Sequence, residues 1–270
     1  MPPRPQRLVA DIGGTNTRFA LADARGRLHA PLTLATRRFD SLADAARSYL
    51  ESTGVRPREG CIAVAGPVSG DAVRLTNHRW EFSIAALREA LGLERLRVIN
   101  DFEAIALALP ALATDELQQI GGGKPVRGSP MAVLGPGTGL GVAQLIATRG
   151  GFQPVSTEGG HASIGPCDEA ELQILATLMR NGQHLCREAL LSGPGIERIY
   201  WALCLAAGSA YHGYSAAEIQ AHAAAGSDAT CRAALEHFCA FLGTAAGDQA
   251  LCCGAQGGVF IAGGIVPRFT

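Results

Sequence analysis

Two carboxylates stand where a chain can use them. Asp11 follows the apolar run 8–10 and opens Asp11-Ile12-Gly13-Gly14-Thr15-Asn16, while Asp101 follows the apolar run 96–99 and Asn100, ahead of a stretch rich in alanine and leucine. A carboxylate beside a Gly-Gly-Thr turn suits a hydrated divalent cation near phosphates, with Thr15 and Asn16 as donors to the anion. The plainer reading of Asp11 is a turn cap, and the residues alone leave both open. At Asp101 the choice lies between a helix N-cap and a base that takes a proton from a substrate hydroxyl. Spacing does not decide it.

Two more glycine turns share that setting. Gly135-Pro136-Gly137-Thr138-Gly139-Leu140-Gly141 follows the apolar run 131–134, and Gly263-Gly264-Ile265-Val266-Pro267 follows the run 259–262. Glycine after a strand lets backbone N–H groups approach an anion, because no Cβ intervenes and positive φ is allowed. One such turn is weak evidence. Three, far apart and each at its own strand end, suggest two sheets facing each other across a nucleotide.

Glu158-Gly159-Gly160-His161 sets an acid and a base three apart on flexible backbone, as a hydroxyl-rich ligand needs, and Glu188 precedes Leu190-Leu191-Ser192-Gly193. Taken singly, His161 passes as a structural hydrogen-bonder and Glu188 as a solvated helix residue. HExxH, a Ser-His-Asp signature and a Walker A lysine are all missing, so metalloprotease, hydrolase and P-loop chemistries lack support. Phosphoryl transfer to a polyol remains.

The elements that must position these residues alternate. Strands are expected at 8–11, 18–23 and 28–35, forming a meander, then at 61–65 and 96–99. Ser41 and Ser83 offer N-caps to helices that end at Gly54 and Gly92. The pattern restarts near 111 with strands at 131–134, 140–147 and 152–155, helices at 169–180, 194–207, 215–225 and 228–251, and a strand at 259–262. A repeated meander with crossover helices is the image of two related α/β domains.

At 270 residues, two domains sharing a cleft are favoured over one. With 23 basic against 24 acidic residues and no basic run, nucleic acid is not an expected partner. The uncharged stretch 128–148 contains Pro130, Pro136 and five glycines. It reads as a soluble β-hairpin rather than a membrane span. Asp11 interrupts the apolar start before a signal segment could form, so the expected compartment is the cytoplasm. The eight cysteines show no CxxC spacing and read as small buried thiols.

Eight segments in order, LVADIGGTNTRFAL, AVAGPV, LTNHRWEFS, VINDFEAIALALP, VLGPGTGLGVA, STEGGHASIGP, LLSGPGIERIY and FIAGGIVPRF, resemble the ATP-dependent, non-ROK bacterial glucokinases of the sugar kinase/actin/heat-shock chaperone ATPase superfamily. The resemblance implies an α/β fold of two ribonuclease H-like, actin-like ATPase domains flanking a cleft. Residues 1–110 would form a small domain with the first phosphate loop and the catalytic Asp101; residues 111–270 would form a large one. It implies that Ala10, Asp11, Ile12, Gly13, Gly14 and Thr15 meet ATP phosphates, with Asp11 holding Mg²⁺ through water. Gly135, Gly137, Thr138 and Gly139 would hold the other side of the phosphates, and Gly263 and Gly264 would lie against adenosine.

For the sugar, the resemblance implies that Asn100, Asp101, Glu158, His161 and Glu188 hold D-glucose, Asp101 acting as base toward the 6-hydroxyl. A homodimer is compatible with it. Family members continue past the GGIVPRF segment, so the resemblance also implies a chain incomplete at its C-terminus. The zinc-binding cysteine motif of the ROK kinases is missing. A non-catalytic paralogue that still binds sugar or nucleotide, and a kinase for another hexose, stay open as alternatives.

Overall fold

The computed structural model describes residues 6–76, 78–179 and 184–268. The chain folds as two compact units that meet in sequence between Ile105 and Ala106.

In the first unit, β1 (Arg7–Ile12), β2 (Asn16–Ala22) and β3 (Leu28–Ala35) form an antiparallel meander. Ser41 then accepts the Asp44 N–H at 3.1 Å and starts α1 (Leu42–Thr53), which Gly54 ends at φ 67°. This crossover lets β4 (Glu59–Val64) lie parallel to β1. A small hairpin, β5 (Ala72–Arg74) with β6 (Glu81–Ser83), precedes α2 (Ile84–Ala90), which Ser83 caps. β7 (Arg95–Asn100) completes the sheet parallel to β4, in the order β3-β2-β1-β4-β7. Leu8, Ile12, Phe19, Ile62 and Tyr49 are buried together in its core. At the β2–β3 turn the buried Asp23 accepts the Arg25 and Arg27 N–H groups at 2.8 and 3.0 Å and pairs with His29 at 3.2 Å.

Helix α3 (Asp101–Ala108) carries the chain onward. In the second unit, β8 (Met131–Pro136), β9 (Leu140–Thr148) and β10 (Gly151–Thr157) repeat the meander. The expected hairpin within 128–148 is therefore present, as β8 with β9. Five helices follow: α4 (Glu169–Met179), α5 (Arg187–Leu190), α6 (Gly193–Ala207), α7 (Ala216–Ala225) and α8 (Ala229–Cys253). Ser192, Ser215 and Asp228 cap the last three. β11 (Val259–Ile261) then pairs parallel with β8, giving the order β10-β9-β8-β11. Ile196, Ile199 and Tyr200 from α6 meet Phe238 and Phe241 from α8 in the core.

Several expectations shift. The hairpin β5–β6 and the helix α5 were not anticipated, being too short to show a period. Arg180, expected to end α4, lies outside the described residues. The thiols are less buried than composition suggested: all eight are free, but Cys204 and Cys231 alone are fully buried and Cys167, Cys239 and Cys252 are exposed. Among the described residues no helix is long and apolar enough to cross a membrane.

Candidate functional site

The first glycine turn follows β1 and is braced from behind. Gly13 N–H donates to Asn16 O at 2.9 Å, the Thr36 hydroxyl donates to Gly13 O at 2.9 Å, and Thr36 N–H donates to Thr15 O at 3.0 Å. A Cβ on Gly13 would stand 3.2 Å from Asn16 O, so the closure of the turn favours glycine. Ala10 and Asp11 end the strand, Ile12 is buried beneath the turn, Gly14 is half-buried and Thr15 is exposed. Asp11 is half-exposed, and one of its oxygens meets Arg18 Nη1 at 2.7 Å. Arg18 is its direct partner across the β1–β2 register.

The end of β7 shows which residue caps the helix. The Asn100 Oδ1 accepts N–H groups from Phe102 at 2.9 Å and Glu103 at 3.2 Å, while its amide donates to Gly66 O at 3.1 Å. Asn100 is thus the cap, and Asp101 is the first residue of α3. Asp101 Oδ1 also meets Phe102 N at 2.9 Å. Burial pushes the Asp101 carboxyl above the usual aspartate range; the Phe102 N–H opposes the shift and the charge of Asp11 adds to it. A half-buried carboxylate with a raised pKa is suited to accept a proton.

In the second unit, Gly135 lies in the last part of β8 and the β8–β9 turn holds Gly137, Thr138 and Gly139. Gly137 N–H donates to Gly139 O at 2.8 Å, and Gly137 O accepts the Gly193 N–H at 2.9 Å from the start of α6. Neither Gly137 nor Gly139 is left-handed, and a Cβ on Gly137 would find open space. The left-handed residue is Gly263, at φ 92°, where a Cβ would stand 2.5 Å from Pro136 O. With Ala262 N–H donating to Leu134 O at 2.7 Å, the turn of Gly263 and Gly264 is seated directly on the end of β8.

Glu158, His161 and Glu188 gather around the start of β9. Glu158 and His161 project from one turn, largely exposed, with Oε2 and Nε2 3.9 Å apart. That turn packs against β9 so closely that a Cβ on Gly160 would strike Leu140 O, and one on Gly159 would stand 3.0 Å from Val142. Glu188, on α5, accepts the Leu140 N–H through Oε2 at 2.8 Å. Leu140 is thus hydrogen-bonded at its N–H by one sugar-candidate segment and packed at its carbonyl against the other. Arg187 N–H donating to Ala162 O at 2.9 Å holds those segments together.

Three supporting residues escaped sequence reasoning. Arg18 could have been found from hairpin register; Thr36 could not, since nothing local marks it. Buried Arg187 pairs with Asp248 of α8 at 2.7 Å and anchors α5, and an arginine beside Glu188 in a short apolar segment was the one available sign. Among the described residues no group of three or more His, Cys, Asp or Glu side chains could enclose a metal.

Each unit carries glycine turns at strand ends, and the first also carries the half-buried carboxylate of Asp101. A glucokinase crystal structure from an Antarctic psychrotroph superimposes with a TM-score of 0.90 at 41% identity, over 98% of this chain and 84% of that one. A glucokinase from Balamuthia mandrillaris, solved in complex with glucose, gives a TM-score of 0.77 at 27% identity over 96% of this chain and 79% of that one. A glucokinase of Chromobacterium violaceum is 48% identical over 265 residues, which are 98% of this chain and 76% of the relative. The sequence model of the glucokinase family matches residues 8–270. The chain belongs to the glucokinase family.

Proposed function

We propose that this protein is an ATP-dependent glucokinase that transfers the γ-phosphoryl group of ATP to the 6-hydroxyl of D-glucose, built from two ribonuclease H-like units. Family membership supports the overall reaction. The single observation in favour of the residue assignment is the division of labour at the end of β7, where Asn100 caps the helix and Asp101 carries the raised pKa.

In this reading Asp101 accepts the 6-hydroxyl proton as that oxygen bonds to the γ-phosphorus, and the bond to the β-phosphate oxygen breaks to leave ADP. Asn100, Glu158, His161 and Glu188 orient the sugar, and a hexose whose hydroxyls do not meet these groups leaves them unpaired. Residues 10–15, the turn 135–139 and Gly263-Gly264 receive the nucleotide. Mg²⁺ would neutralise charge on the β- and γ-phosphate oxygens when bound. The residues fit it in one manner: half-exposed Asp11, already engaged by Arg18, suits a water-mediated contact, consistent with a cation held chiefly by phosphates and water.

The test is ADP release coupled to a reporter enzyme, with and without glucose, against mannose, fructose and galactose at matched concentrations. Glucose-dependent ADP release with a marked preference over the other hexoses is the expected result. ADP release that ignores all four sugars would overturn the reading.

A further inference from the structure

The strongest unassigned relationship in the second unit is the grip on Leu140. Its N–H is held by Glu188 Oε2 at 2.8 Å, and its carbonyl abuts Gly160, where no Cβ fits. Leu140 is the residue at which the turn 137–139 enters β9. A Cβ on Gly139 would collide with the same Glu188 carboxylate, so that carboxylate lies against the glycine turn itself. From the far side, Gly193 N–H holds Gly137 O at 2.9 Å, and Ser192 Oγ donates to the Glu188 carbonyl at 2.8 Å. Both ends of the turn are therefore fastened by the segment that carries Glu188.

We infer that Glu188 is a positioning residue for the phosphate-binding turn 137–139, acting through Leu140, in addition to its sugar role. The inference rests on the sugar-kinase reading above. A carboxylate reaching a single backbone N–H at hydrogen-bond distance sets where that strand begins, and so where the preceding turn presents its own N–H groups. Sugar bound at Glu188 and nucleotide bound at the turn then share one fastening. A residue whose only task was to hold sugar would not affect nucleotide binding when sugar is absent.

The experiment is calorimetric titration of AMPPNP with Mg²⁺, without any sugar, into wild type, Glu188→Asp and Glu188→Gln. Aspartate keeps the charge but is one methylene too short to reach Leu140 N, whereas glutamine keeps the reach and an acceptor oxygen. Glu188→Asp is expected to bind AMPPNP about 3- to 10-fold more weakly, the equivalent of one lost hydrogen bond. Glu188→Gln is expected to match wild type or exceed it, since a negative charge near phosphates is removed. If Glu188→Asp does not fold, Glu188→Ala, which takes the carboxylate away from Leu140 altogether, replaces it and should weaken AMPPNP likewise.

Wild-type affinity in the variant that takes the carboxylate away from Leu140, or equal weakening in Glu188→Asp and Glu188→Gln, overturns the inference. Failure of wild type to phosphorylate any hexose sinks the functional reading separately, because the AMPPNP titrations contain no sugar.

Discussion

Asn100 and Asp101 are adjacent, yet the helix that follows draws its cap from the first, leaving the second at the head of α3 with a carboxyl made more basic by burial. A sequence reader meeting Asn-Asp at a strand end would give the cap to either. The geometry gives the cap to Asn100 and the raised pKa to Asp101, across a single peptide bond.

Asp101→Asn should keep glucose and nucleotide binding while lowering kcat by about 10²–10⁴, the usual contribution of a general base. The base must be ionised to act, and its pKa is raised. The acid limb of kcat/KM in wild type should therefore lie above the usual aspartate range, with activity falling as pH drops through it, and the residual activity of the variant should lack that limb. A variant with unchanged kcat would reduce Asp101 to a sugar ligand.

Asn100→Ala should cost about 0.5–2 kcal/mol of stability, as expected for loss of an N-cap. Asn100→Asp keeps the acceptor for Phe102 and Glu103 but loses the donor to Gly66, so it should fall between alanine and wild type. Urea unfolding of the three proteins decides this, and equal stability of all three would contradict the cap.

The two glycines that flank β8 in space should behave differently. Gly263→Ala forces a Cβ toward Pro136 O at a left-handed φ and should destabilise the protein by about 1–3 kcal/mol. Gly137→Ala meets open space and should leave the melting temperature nearly unchanged while weakening ATP more than glucose. Thermal melts and separate titrations of each ligand provide the comparison. A large loss of stability in Gly137→Ala would contradict the turn geometry.

Asp23 gives the fold an acid-sensitive point. Its pKa is held down to about 2, first by the hydrogen bond to His29 and then by the Arg27 and Arg25 N–H groups, against the opposing effect of burial. A depressed carboxyl contributes stability that is complete above its unfolded pKa of about 4 and is lost as pH falls through the folded value. Denaturant midpoints of wild type should therefore decline between about pH 4 and pH 2. Asp23→Asn should show a shallower decline over that interval, and identical slopes would remove Asp23 from the acid response.

What the sequence disclosed depended on how local the cause was. The ends of β1, β8 and β11 were legible because glycine following an apolar run is a local steric signal, and Ser41 and Ser83 were legible as caps because a short hydroxyl side chain before a helical run is local too. The hairpin β5–β6 has three residues per strand and α5 has four, too few to display a period. The bond from Leu140 to Glu188 joins residues 48 apart, and no local pattern encodes such a pairing. The glycines after β8 differ in their reasons: a Cβ on Gly139 would meet the Glu188 carboxylate, whereas Gly263 combines a left-handed φ of 92° with a neighbouring carbonyl.

The double hold on Leu140 carries a consequence for how this protein can change. On the proposed roles, a substitution that retunes hexose preference at Glu188 or near Gly160 also touches Leu140, so a single change there is expected to alter the use of both substrates together. A lineage drifting toward a new sugar would have to accept altered nucleotide use along the way, or first acquire a compensating change in β9. Selection experiments that screen on sugar alone should accordingly recover second-site changes clustered at the start of that strand.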